Sequence, residues 1–457
     1  MDKIKLTQDE NLSLKVSYQL SPSDQQRFDL YFSLPDDMGI SPKTLAEEQY
    51  FHNSIQSHSA YYSDQLHLPL VRSRFISQQK GEQTDYRLNL NLFSYQIRIA
   101  LDTDIKQTIK IEESKYFYPK AIELAEQISG LLKKLRRYTP PDQKLRAYFE
   151  NADNYLSWQV EQSFLKLLSR APKSSAFSSE RNFLLALCRS ENQYREDNQY
   201  NSQVTLGDPN RITNKMRLLQ RLIEYGVVFQ KEVKNLNRNL NRIVRGTVTA
   251  IIMAFVMVLV LNARTNFTEV TIALVAMLGV IYGLREIFKE DITRIIWRRI
   301  QKGLPKWKVI YRHSVNKSRV ASQTIWLEYI RNKDLPQQVD KLFQMRRQQN
   351  KQAAQLLHFR SDTKVNAKGF LPGYDAIQQR LYFNLTPFIR FLKKGEGRLY
   401  SLDSSKITKQ AVERRYQINL VLMHTDKQNQ QQTQRFKITL NRSNIINVEA
   451  MQSNDDD

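Results

Sequence analysis

Residues 246–261 read GTVTAIIMAFVMVLVL, a run without one charged side chain. No other stretch restricts the fold as much. A helix of this length rises about 24 Å, somewhat short of the roughly 30 Å hydrocarbon core of a bilayer, and Asn262 and Ala263 extend it slightly. Arg245 and Arg264 stand near its ends, where long side chains carry their charge outward. A second apolar run at 270–284, between Glu269 and Arg285, follows a short connection. Alone it is a marginal span, but beside the first it is expected to insert as the other half of a hairpin. The competing reading is a helix pair buried inside a soluble domain.

Basic residues set the expected topology. Lys231, Lys234, Arg238, Arg242 and Arg245 precede the first run, and Arg285, Lys289, Arg294, Arg298, Arg299 and Lys302 follow the second, with Arg264 alone between them. Basic flanks stay in the cytoplasm. The expectation is a two-pass membrane protein with both termini cytoplasmic, in the inner membrane if the cell is bacterial. The start, Met1-Asp2-Lys3-Ile4-Lys5, leads into no apolar run, so no secretory signal is expected. The only cysteine, Cys188, excludes an internal disulfide and sits in an apolar stretch as a small buried hydrophobe.

The formal charge of +23 calls for an anionic partner. With an apolar hairpin present, a membrane with anionic lipid is the expected one and nucleic acid is disfavoured. Arg294, Arg298, Arg299 and Lys302 beside Trp297, then Lys306 and Lys308 after Gly303-Leu304-Pro305, are expected to face lipid headgroups. A solvated basic face is the plainer alternative. Small residues repeat every four positions at Gly246, Ala250 and Ala254, and again at Gly279 and Gly283. Such stripes let helices approach closely, either within one hairpin or between the subunits of a homodimer. Leu219, Leu222, Phe229, Val233, Leu236, Leu240 and Ile243 follow heptad spacing. One coiled-coil-like helix is therefore expected to run from Arg211 into the membrane, although an amphipathic helix packed on its own domain would show the same pattern.

Outside this segment, alternation and helical periodicity divide the chain. Residues 1–115 are expected to be β-rich. Leu12, Leu14, Val16, Tyr18 and Leu20, then Phe28, Leu30, Phe32 and Leu34, alternate around the turn Ser21-Pro22-Ser23-Asp24, as in an antiparallel hairpin. Leu88, Leu90 and Leu92, and Tyr95, Ile97, Ile99 and Leu101, alternate in opposite phase, as in strands joined by a bulge. Residues 116–245 are expected to be helical, notably 118–137 and 145–168, with a polar loop at 193–209. The hairpin occupies 246–288. Residues 289–360 read as basic and helical, with helices at 320–330 and 339–357. Residues 361–453 are again β-rich, with alternation at Leu381 to Leu385, Tyr416 to Leu422 and Phe436 to Leu440, and 454–457 form a disordered tail. The expected class is an α+β membrane protein: a two-helix transmembrane hairpin with flanking helices and β-rich ends.

Catalytic signatures are weak. Gly395-Glu396-Gly397 is too short for a phosphate loop, and no CxxC or HExxH occurs. His52, His58 and His67 are close in sequence but lack further ligands, and Asp102-Thr103-Asp104 reads as a turn between strands. Ser314-Val315-Asn316-Lys317 matches SxxK, a pattern frequent by chance. No metal or cofactor is expected. A membrane-anchored scaffold or sensor with an unidentified protein partner is the leading reading. An enzyme at the membrane surface and a tethered nucleic-acid binder are the alternatives.

Overall fold

A computed structural model describes residues 4–9, 11–63, 68, 83–172, 174–225, 227–266, 272–301, 303–314, 317–347, 354–366, 370, 374–390, 392, 396–403, 406–413 and 415–451. The chain opens with β1 (Ile4–Gln8), β2 (Ser13–Leu20), β3 (Gln25–Pro35), α1 (Glu47–Ser54) and β4 (Ile55–Tyr62). A helical lobe follows: α2 (Gln83–Thr108), α3 (Ser114–Arg137), α4 (Gln143–Ser169), α5 (Ser178–Asp197), α6 (Gln203–Leu206) and α7 (Pro209–Glu224). After β5 (Gln230–Asn235) come two 30-residue helices, α8 (Asn237–Asn266) and α9 (Ile272–Gln301). The chain then returns to strands as β6 (Trp307–Arg312), β7 (Arg319–Ile330), α10 (Gln337–Arg347), β8 (Ala354–Val365), β9 (Ala376–Asn384) and α11 (Thr386–Ile389). It ends with β10 (Glu396–Asp403), β11 (Lys406–Glu413), β12 (Tyr416–Thr425), β13 (Gln431–Leu440) and β14 (Ile445–Met451).

Two antiparallel sheets share one core. The smaller has the order β1-β2-β9-β4 and the larger β14-β13-β12-β3-β8-β7-β6-β5, while β10 and β11 pair only with each other. β2 and β3 therefore do not form the expected hairpin. β2 pairs with β9 (Leu14↔Phe383) and β3 with β12 (Phe32↔Leu420), so the turn at residues 21–24 carries the chain from one sheet to the other. Ser23 takes a left-handed φ of 60° there, and the Asp24 N–H donates to the Ser21 carbonyl at 3.1 Å. The N- and C-terminal β-rich regions are one body.

Alternate residues of β2 are buried, and rings from both sheets meet between them: Tyr18 on Phe28 at 5.6 Å and Phe32 on Phe383 at 5.9 Å. A buried polar chain crosses the same gap. Ser59 donates to Gln379 at 2.9 Å, Gln379 to Tyr311 at 2.8 Å, Tyr311 to Gln323 at 2.7 Å and Gln323 to Ser361 at 2.6 Å. Buried polar groups hydrogen-bonded in series fix how two apolar faces align. On its other side, the larger sheet presents Tyr31, Val421 and Met423 to Val339 and Phe343 of α10.

The strands expected at 88–101 are instead part of the helix α2. Every residue from 90 to 101 is buried, and a helix enclosed on all sides loses the one-sided periodicity that identifies it in a sequence. In the opposite direction, the helix expected at 320–330 is strand β7, and the one expected at 339–357 splits into α10 and the start of β8. β-branched Val320, Thr324 and Ile325 favour the extended form that β6 and β8 hydrogen-bond on either side. The loop expected at 193–209 holds the end of α5 and all of α6.

The coiled-coil-like helix is also absent. α7 stops at Glu224, and β5 then pairs with β6, Val233 lying opposite Val309 and Lys234 opposite Lys308. Ladder bonds to β6 replace the helical bonds there, so Val233 and Leu236 no longer share a stripe with Leu240 and Ile243. α8 starts afresh at Asn237, whose N–H donates to the Asn235 side chain at 3.0 Å.

The two-helix transmembrane hairpin is corrected as well. Among the described residues one helix, α8 over Leu240–Asn262, has the length and composition to cross a membrane. The described apolar part of α9, 272–284, rises only about 20 Å. Arg285, Glu286, Lys289, Glu290 and Asp291 follow it directly. The two-pass topology falls with the hairpin, and so does the placing of both termini in the cytoplasm that was derived from it. Residues 267–271, which include the start of the second run and Glu269, lie outside the described residues. The fold is α+β, with large sheets, a helical lobe and a pair of long helices.

Candidate functional site at the base of the long helix pair

α8 packs against α9, and among its described side chains Val244, Val248 and Val256 are buried. The four-residue spacing between the first two continues through half-buried Ile252 to Val256, a single stripe. The rest of the outer half of α8 is uncovered. Ile251 is 64% and Phe255 65% exposed, and Met253, Met257, Val258, Leu259 and Leu261 are also exposed. At about 100° per residue these side chains sweep roughly 240° of the helix circumference. On α9, Ile272 is 91% exposed, and Val275, Val280, Leu284, Ile287 and Phe288 are exposed with it.

The small-residue stripes do not make this contact. Gly246, Ala250, Ala254, Gly279 and Gly283 are all exposed, and a Cβ added at any of the three glycines meets nothing within 4 Å. Valines hold the two helices together, and the small residues face away.

Nearer the sheets the pair becomes polar. A cavity of about 450 Å³ lies between the helices, lined by Asn241, Arg245 and Thr249 of α8 and by Lys289, Glu290, Thr293, Arg294 and Trp297 of α9. A second cavity, of about 530 Å³, shares Asn241 and Trp297 with it and reaches Arg238 in the first turn of α8, Glu47 and Glu48 of α1, Lys306 and Trp307. Lys289 pairs with Glu286 at 3.1 Å, and Arg294 stands 3.7 Å from Asp291, both loosely and near solvent. Among the described residues Arg238 and Arg245 have no carboxylate partner. Trp307 is buried and stacked on Phe51 at 4.0 Å, and its indole N–H has no hydrogen-bond partner.

The six basic residues expected to face lipid separate here. Arg294 lines the upper cavity, and Arg299 is exposed on α9. The side chain of Arg298 and all of Lys302 lie outside the described residues. Lys306 does not face outward: it pairs with Glu47 and donates to the Leu327 carbonyl at 2.7 Å, closing the lower cavity against α1 and β7. Lys308 is half-buried on β6 across from Lys234. Arg238 and Arg245, which serve in the sequence only as flanking charges, reach the cavities because α8 begins where β5 ends.

The remaining candidates serve the interior of the body. His58 on β4 lies 3.6 Å from Glu224, whose carboxylate also meets Arg98 of α2 at 3.2 Å. Burial alone would raise the pKa of Glu224, but the His58 contact, the Arg98 charge and Gln220 overcome it and push it down to about 2. His52 lies on α1, while His67 is outside the described residues. Asp102-Thr103-Asp104 is helical, and Asp104 accepts from the Leu68 N–H at 2.9 Å. Ser314 is buried and donates to the Val228 carbonyl at 2.6 Å, a structural contact; Val315 and Asn316 lie outside the described residues. Burial raises the Cys188 thiol to about 11, with Glu161 adding to the shift, which disfavours the thiolate that nucleophilic chemistry needs. Among the described residues no three metal-ligating side chains converge. No family model, curated protein or solved structure matches the chain.

Proposed function

We propose that the protein is a membrane-anchored scaffold, held at a lipid surface by the apolar outer half of α8 while the α+β body stays in water. One observation carries this reading: the outer half of α8 exposes apolar side chains over most of its circumference, and only 17% of its most apolar window is buried. A core helix of that composition would be enclosed. A protein groove covers one side of a helix, whereas lipid covers every side left open. Each aliphatic side chain so covered contributes on the order of 1.5–3 kcal/mol. Two further features agree. Arg238, Arg242, Arg245, Arg294 and Arg299 lie toward the body end of the pair with Trp297, the composition of a headgroup layer. The β10–β11 ribbon exposes Leu399, Tyr400, Leu402 and Ile407, a surface suited to a protein partner.

Membrane fractionation tests the anchor. The full chain is expected to stay in the membrane pellet through alkaline carbonate. A variant with residues 246–284 replaced by a short Gly-Ser linker should appear in the soluble fraction with the circular dichroism of a folded α+β body. A full chain that is soluble and monodisperse without detergent would refute the proposal.

A further inference from the structure

We propose that the 450 Å³ cavity between α8 and α9 holds the phosphate of an anionic lipid headgroup, with the guanidinium groups of Arg245 and Arg294 as its cationic partners. The inference rests on the anchoring reading above and assigns a ligand to one place within it.

The charge of the cavity comes first. Arg245, Lys289 and Arg294 line it against the single carboxylate of Glu290. Lys289 is engaged by Glu286 at 3.1 Å, which leaves the two arginines as the available cations. Arg245 has no carboxylate partner among the described residues, and Arg294 meets Asp291 only at 3.7 Å with both side chains largely exposed. A planar guanidinium with open donors suits the paired oxygens of a phosphate better than a point charge does. The side chains of Asn241 and Thr249 supply neutral donors on the same wall.

Position supplies the second argument. Arg245 precedes Ile251 by six residues, or about 9 Å along the helix. On α8 the dense run of exposed apolar side chains starts at Ile251, with Ile243 exposed about two turns before it, and on α9 Ile287, Phe288, Ile295 and Ile300 are exposed alongside the cavity. Phe255 stands within about 40° of Asn241 and Leu259 within about 40° of Arg245 around the helix, so acyl chains of a lipid held in the cavity have apolar side chains to run along on that side of α8. A free phosphate ester would use the cavity and leave that surface empty. Trp297, shared by both cavities, is the kind of side chain that settles between headgroup and hydrocarbon.

Flotation of the purified full chain on vesicles tests this, with phosphatidylcholine alone compared with phosphatidylcholine plus phosphatidylglycerol. Wild type should bind both and prefer the anionic vesicles. R245Q/R294Q should lose about tenfold or more on anionic vesicles and little on neutral ones, as expected for two contacts worth on the order of 1 kcal/mol each. R245K/R294K should fall between. R398Q/K409Q removes equal charge from the exposed β10–β11 ribbon and should change little. If R245Q/R294Q loses no more than R398Q/K409Q, general surface charge explains the preference and the cavity assignment is wrong. Tighter binding of soluble glycerol phosphate than of phosphatidylglycerol vesicles, read by titration calorimetry on the same protein, would make a free ester the ligand and overturn the lipid assignment. Absence of flotation on both vesicles would overturn the anchoring reading, and this inference with it.

Discussion

The guanidinium of Arg98 lies 3.2 Å from the carboxylate of Glu224, with both residues almost wholly withdrawn from water. The pair ties the central helix α2 to the last turn of α7, immediately before the chain leaves for β5 and the long helices. His58 approaches the same carboxylate from β4, so the smaller sheet joins the contact. Removing one partner of a buried ion pair leaves the other charged and unsatisfied, which typically costs about 3–5 kcal/mol. E224Q should lose about that much in urea unfolding followed by circular dichroism at neutral pH. The pKa of Glu224 is depressed from its ordinary 4.5 to about 2, so its contribution is complete above about 4.5 and is lost as pH falls toward 2. The gap between wild type and E224Q should therefore narrow in acid. A gap independent of pH between 7 and 3 would show that the carboxylate charge is not what stabilises.

His358 gives a dependence of opposite sign. It lies 2.8 Å from Asp29 and 3.9 Å from Glu328, with its ring stacked on Tyr31 at 4.3 Å. Burial lowers its pKa, but the two carboxylates outweigh that and raise it above the ordinary 6.5. The stabilisation is complete below about 6.5 and is lost as pH rises through the raised value. H358Q should lower the melting temperature more at pH 6 than at pH 9, read by differential scanning fluorimetry. An equal loss at both values would assign His358 a packing role only.

The packing between α8 and α9 separates valines from glycines. V248A should speed hydrogen exchange in the described part of α9, because it opens a cavity at the one buried stripe. A shortening of this kind costs on the order of 1 kcal/mol. G283A should not, since its Cβ meets no neighbour, and it should raise helix stability by about 0.5–1 kcal/mol. Faster exchange in G283A than in V248A would reverse the assignment.

What the sequence disclosed depended on whether burial left a one-sided pattern. α3 and α4 were legible because each shows alternating wet and dry faces. So were β9 and β13, whose burial alternates along the strand, while β12 was legible from the spacing of Tyr416, Ile418, Leu420 and Leu422 although nearly all of it is buried. α2 was not, because burial on every side erased its period. The exchange of β2 and β3 between sheets was equally hidden, since a turn such as Ser21-Pro22-Ser23-Asp24 reads alike whether it closes a hairpin or crosses a core. The apolar run at 246–261 was legible as a long helix, but its partner lacked the length for a span once Arg285 and Glu286 were counted. At the site, Arg294 was marked by its neighbours Trp297 and Arg299. Arg245 was hidden among flanking charges, and Lys306 was misplaced because its partner, Glu47, is 259 residues away in the chain.

The most direct measurement of the central claim places an environment-sensitive fluorophore on the outer half of α8. Cys188 is replaced by alanine, and single cysteines are introduced at Phe255, at Val258 and, as a control in water, at Tyr400 of the β10–β11 ribbon. On addition of lipid vesicles, emission from Phe255 and Val258 should shift to the blue and be quenched by acyl-chain quenchers, while emission from Tyr400 stays unchanged. Emission at Phe255 and Val258 that remains water-like with vesicles present would contradict the account.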